Sequence, residues 1–197
     1  RYEYIYPNLE LIKDIELSPE YNGILTFDSN AYHKKYSVNS HDSTLINNFE
    51  YQSFDYTLNN GLKNNFNLIL KNVNTDGHNS TINRNELSNK LLGSFIFESS
   101  YPLKKLGNKY TSFLEPIASF RYSPTETKNI SEYDRRIDVN NIFSPNRISD
   151  NNTIEGGESI TIGNKYKLLD QKNSRELILF DLASNFRLDE NGDKKKK

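Results

Sequence analysis

The chain's only imidazoles are His33, His41 and His78. Imidazole is a common general base and metal ligand. None of the three has an H-x-x-x-H partner, and without cysteine a zinc site would need scattered carboxylates as well. They read as rim or loop histidines. His41-Asp42-Ser43 gathers the residue types of a nucleophilic triad. Neighbours in an extended chain point to alternate sides and cannot form the relay that such chemistry needs, so a turn is expected here. Glu155 and Glu158 are three apart on an expected strand, hence on opposite faces, and cannot share a substrate. Asp189, Asn191 and Asp193 have the D-x-N-x-D spacing of a calcium loop without its glycine and distal glutamate in register, so they read as a turn. Gly156-Gly157 precedes no helical pattern and is no phosphate cradle. Paired glycines in a strand mark a bend or the close approach of another segment. The lysine run 194–197 reads as a solvated charge run. No constellation of catalytic, metal-binding or cofactor-binding residues emerges, so a non-enzymatic protein without a cofactor is expected.

The elements that position these residues are strands. Over 153–168, Ile154, Glu158, Ile160, Ile162, Tyr166 and Leu168 fall on one face, and Thr153, Glu155, Ser159, Thr161, Gly163 and Lys165 on the other. Alternation of period two is the mark of a strand with one apolar and one wet side. A strand of this length exceeds the roughly 9–11 tilted residues that cross a bilayer. The same pattern runs through 62–73 and 175–188, with Leu177 and Leu179 as exceptions on the polar side. Eight strands are expected at roughly 2–16, 23–37, 44–58, 62–73, 85–98, 110–122, 153–168 and 175–188. Asn59-Asn60-Gly61 suits a tight hairpin, because Asn-Gly accepts the positive φ of a primed turn. The two longest expected connections, at 74–84 and 123–152, emerge at the same end of the sheet, as external loops of an outer-membrane barrel do.

Composition narrows the classes. The net charge of −1 gives no drive toward nucleic acid, and none is expected as a partner. Mean hydropathy is −0.79, and no apolar run reaches the length of a membrane-spanning helix. A barrel escapes this exclusion because every second side chain of its strands faces a polar lumen. The 13 tyrosines and 11 phenylalanines suit strands, and equally the aromatic girdles of a membrane interface. The first residues read as a strand already under way, so the chain reads as an internal fragment.

The order of several short elements resembles a known family. Leu114-Glu115-Pro116, Asn141-Ile142-Phe143, Arg147-Ile148-Ser149 and Ile154-Glu155-Gly156-Gly157 are similar to the LEP strand, the N-x-F-x-x-x-R-x-S loop and the I-E-x-G strand of the LptD barrel domain. LptD is the lipopolysaccharide-assembly, or organic solvent tolerance, protein of Gram-negative outer membranes. Many relatives have a Gly after the Ser and an Asp-Arg pair before the I-E element, where this chain has Asp150 and Asn152-Thr153.

The resemblance implies an all-β antiparallel up-and-down meander of about eight strands, spanning 1–197 as a single piece of barrel wall. It implies that an N-terminal periplasmic domain and the first and last barrel strands lie outside the piece. The implied partners are lipopolysaccharide, an LptE-like lipoprotein plugging the lumen, periplasmic components of the lipopolysaccharide bridge, and outer-membrane lipids. Within the matched motif Glu115, Arg147 and Glu155 are expected as structural, loop-anchoring residues. The alternative is a secreted, soluble β-sandwich that binds glycan or protein. The two differ in the apolar face, which a sandwich turns inward against a second sheet and a barrel exposes.

Overall fold

The computed structural model describes residues 3–36, 39–80, 87–125, 137–148 and 151–188. Expectations for Arg1, Tyr2, Ser149, Asp150, 189–193 and 194–197 fall outside the described residues. The strands are β1 (Glu3–Ile15), β2 (Gly23–Tyr36), β3 (Ser40–Ser53), β4 (Tyr56–Thr57), β5 (Lys63–His78), β6 (Ser88–Ser100), β7 (Leu103–Leu106), β8 (Tyr110–Ser123), β9 (Gly157–Asp170) and β10 (Glu176–Arg187). Eight are long. The short β4 pairs with the start of β5, and the short β7 with the start of β8.

All ten strands form one antiparallel sheet in the order β1-β2-β3-β5-β6-β8-β9-β10. Each long strand pairs with the next in sequence, which makes the sheet an up-and-down meander. β1 and β10 are its edges and are not paired with each other, so the sheet is open. Among the described residues no second sheet lies against it.

Two faces of opposite chemistry follow from the alternation. A single register row runs Phe66, Phe97, Phe120, Ile160, Phe186 across β5, β6, β8, β9 and β10. These side chains lie on the outer face, where Phe97, Phe120 and Phe186 are exposed, as are Leu70, Ile162 and Leu182. One residue along each strand lies the row Asn67, Ile96, Arg121, Ser159, Arg187 on the inner face. The inner face is mostly polar yet covered: Asp42, Thr44, Ser94, Ser119, Arg121 and Thr161 are all buried. What covers it is the connection between β8 and β9. Ile154 of that connection is fully buried among Ile46, Val73 and Leu92 of β3, β5 and β6.

The structure corrects several expectations. His41-Asp42-Ser43 lies within β3, with no turn there. The strand expected from Thr153 begins only at Gly157, whose φ is +87°. Thr153, Ile154 and Glu155 are consecutive and all buried, which a half-exposed strand does not allow. At Asn59-Asn60-Gly61 the tight turn joins the short β4 to β5. Gly61 has φ +87°, and Leu58 N–H donates to the Leu62 carbonyl at 2.8 Å. The connections 37–39, 79–87 and 124–156 share one end of the sheet. Only the last is long, since 79–87 is no longer than 54–62 or 101–109 at the other end.

Pro116 of the LEP element has a clear place. β8 pairs with β6 from Ile117 onward and with β7 up to Leu114. Pro116 has no N–H to offer a ladder, and it sits where β8 changes partner.

Candidate functional site

The described parts of the β8–β9 connection, 137–148 and 151–156, hold themselves together first. The Asp138 side chain accepts from the N–H groups of Asn140 at 2.8 Å and Asn141 at 3.2 Å. The Ile142 N–H donates to the Asp138 carbonyl, and Ser144 N–H to that of Asn141. This is the local turn chemistry of Asx residues. Asn146 then ties the two arms of the connection, its amide donating to the Thr153 carbonyl at 3.3 Å. The result presents Phe143, Arg147 and Glu155 to the inner face of β8, β9 and β10.

Arg147 and Glu155 form a buried bidentate pair. The Arg147 Nε donates to Glu155 Oε2 at 2.7 Å and Nη2 to Oε1 at 2.9 Å. Their side chains are 2% and 5% exposed. Arg147 Nη2 also donates to Ser159 Oγ at 3.2 Å. From the edge strand, Arg187 Nη2 donates to Glu155 Oε1. Arg121 on β8 donates from Nε to the Pro145 carbonyl at 3.2 Å. The connection is therefore held to three strands by guanidinium groups, the side chains best suited to forked hydrogen bonding.

Burial pushes the Glu155 carboxyl up, but the Arg147 hydrogen bond and the positive charges of Arg147, Arg121 and Arg187 outweigh it. The group is held below the usual carboxylate range. It is an anion at neutral pH.

Glu115 is elsewhere. It lies on the inner face of β8 opposite Lys165. Six residues of strand, roughly 20 Å, separate it from Arg121. The structure brings Arg147 and Glu155 together and leaves Glu115 out. The residues missed in the sequence are Arg121, Ser159 and Arg187. Their signal was present as strand parity, because each falls on the polar face of its strand, but only the register shows that they share one row.

The three histidines, far apart in sequence, meet on the outer face at the same end of the sheet. His41 stands opposite His78 with ring centroids 5.1 Å apart, and His33 lies 5.3 Å from His41. A His33 ring nitrogen is 2.9 Å from Ser43 Oγ. Asp42 faces the other way and is buried, accepting from Ser80 Oγ at 2.8 Å, so the triad residue types are separated by the pleat. Among the described residues no group of three His, Cys, Asp or Glu is arranged to hold a metal ion. Among them, too, no helix is long and apolar enough to cross a membrane, a statement that does not bear on strands.

Comparison with known proteins adds one finding. A model of the family described as LPS transport system D, LptD, matches residues 51–195, about three quarters of the chain. No individual curated protein matches. The matched span begins in β3 and contains the connection, its arginine–glutamate cluster and the row Arg121, Ser159, Arg187. With the open all-β meander and the LEP, R-I-S and I-E-G-G elements inside the same span, the chain belongs to the LptD family, whose work is lipopolysaccharide transport.

Proposed function

We propose that this chain forms a section of the wall of an outer-membrane β-barrel that delivers lipopolysaccharide to the outer leaflet. The observation that carries this reading is the division of one sheet into two faces a single residue apart. The row Phe66, Phe97, Phe120, Ile160, Phe186 looks outward, and the row Asn67, Ile96, Arg121, Ser159, Arg187 looks inward. A lipid-facing wall needs the first and an aqueous lumen needs the second. In water this single sheet would leave its apolar face wet, and soluble proteins rarely expose so large a patch.

In this reading the end that carries 124–156 is external, and the connection folds back into the lumen. Arg147 and Glu155 anchor it there. Glu115 belongs to a different inner-face pair, with Lys165. The open edges at β1 and β10 take further strands of a larger barrel, with the exit seam and the periplasmic lipid-binding domain outside this section. The partners are lipopolysaccharide, an LptE-like lumen plug, the periplasmic bridge components and outer-membrane lipids. Passage of the lipid makes and breaks no bond, so no residue has a catalytic task. Depletion of the parent protein in its own cell tests the reading. Lipopolysaccharide should stall before the outer leaflet, and the cells should become sensitive to hydrophobic compounds. Normal surface lipopolysaccharide after depletion would refute it.

A further inference from the structure

The cluster at Glu155 is unbalanced. Arg121, Arg147 and Arg187 surround one carboxylate, and their electrostatic partners are one another and Glu155. Among the described residues the three guanidinium groups share the one carboxylate of Glu155. Arg147 donates to Glu155 and Ser159 from Nε and Nη2, and Arg187 reaches the same carboxylate. Arg121 is 3% exposed, yet its Nη2 has no hydrogen-bond partner. A buried guanidinium nitrogen without an acceptor is costly, and native proteins keep few of them.

The register shows how the excess is arranged. Arg121 and Arg187 are the two cross-strand neighbours of Ser159, which is 1% exposed. Their Cα atoms stand two strand spacings, roughly 10 Å, apart on one face. These two long cationic side chains flank the point where Arg147 Nη2 meets Ser159 Oγ. The Arg187 side chain is 23% exposed, so the cluster is reached at Arg187.

We propose that this cluster is an oxyanion-binding site in which Arg121 and Arg187 clasp a phosphate group beside the Arg147–Ser159 contact, opposite the carboxylate of Glu155. Guanidinium forks match the tetrahedral oxyanion in geometry as well as charge. The source of the phosphate rests on the function proposed above and is the phosphorylated glycolipid cargo; the oxyanion chemistry itself does not depend on that function.

Two arms test the site on the full-length parent barrel in detergent. In the first, inorganic phosphate is compared with chloride at matched ionic strength. Phosphate should raise the thermal unfolding midpoint of the wild type, and Arg187→Gln should abolish that rise. Arg175→Gln, in the turn at the opposite end, should retain it. Glu155→Gln removes the competing carboxylate and should enlarge the phosphate-dependent rise over its own chloride baseline. Should Arg187→Gln fail to fold, Arg187→Lys keeps the charge, loses the fork and should show a reduced rise. No phosphate effect in the wild type, or an equal effect in wild type and Arg187→Gln, overturns the site, and does so even if the variant still delivers lipopolysaccharide normally. In the second arm, lipid A is compared with its dephosphorylated form. Wild type should bind the phosphorylated form about tenfold more tightly, the scale of one charge-assisted hydrogen bond, and Arg187→Gln should erase the difference. A phosphate effect without this preference upholds the oxyanion site and overturns the glycolipid as its source.

Discussion

The ring of Phe143 lies against the bare Cα of Gly163. A Cβ at that position would meet the ring Cζ at 2.6 Å and the Leu182 carbonyl at 3.0 Å. Gly163 sits in mid-strand, where glycine costs stability unless another group approaches closely. Here the group is the connection itself, and the glycine makes the seat for its aromatic residue.

Gly163→Val should therefore unseat Phe143 while leaving the β9 ladder paired, because valine favours strands. The expected outcome is faster protease cleavage within the 137–156 connection of the full barrel, with the strands still resistant. Cleavage at the wild-type rate would show that Phe143 does not depend on this seat.

Removing one partner of the buried pair should cost more than removing both. Glu155→Gln leaves three arginines facing no carboxylate, and breaking such a pair costs about 3–5 kcal/mol. Pairing it with Arg147→Met relieves part of the repulsion and should recover some of that loss. Denaturant unfolding of both variants in detergent measures this, and a double variant less stable than the single one would contradict it.

Acid should release the connection. The folded-state carboxyl of Glu155 is held below its unfolded value. Its contribution is therefore fully present above the ordinary carboxylate pKa of about 4.3 and is lost as pH falls through the lower folded value. Protease sensitivity of the connection, using an acid-active protease, should rise below about pH 4. Glu155→Gln should already show that sensitivity at neutral pH.

Membrane insertion should read the two faces of β10. Phe180 is on the outer face, whereas Leu179 is on the inner face although it too is apolar and exposed. Arginine on the lipid side costs roughly 2–4 kcal/mol near the midplane and far less toward the lumen. Phe180→Arg should impair folding of the full barrel into bilayers, and Leu179→Arg should be tolerated. The inner-face position Thr161 is a poorer comparison, because the connection buries it and it accepts from Asn185 at 2.7 Å. Equal insertion of the two β10 variants would contradict the lipid-facing assignment.

The sequence made strands visible because alternation is a local signal, and the meander followed from their number and spacing. Register is not local. Arg121, Ser159 and Arg187 share a row only because three strand boundaries fall where they do, and the histidines stack for the same reason. The expected strand was carried back to Thr153 because the pattern of types continues there. What stops it is the left-handed backbone at Gly157 and the demand of Ile154 for an apolar pocket on three other strands. The motif drew attention to Arg147 and Glu155, which do meet. It drew equal attention to Glu115, whose neighbour Pro116 has a ladder reason to be where it is and gives the glutamate no share in the cluster.

The reach of Arg187 to Glu155, across 32 residues, also sets an order in time. The connection is made before β9 and β10, yet its carboxylate is completed by the last residue of β10. Its contact with Arg187 is therefore made only once that hairpin has been laid against β8. Neighbouring residues of the connection thus depend on opposite parts of the chain: Ile154 on strands that come before it, and Glu155 on one that comes after.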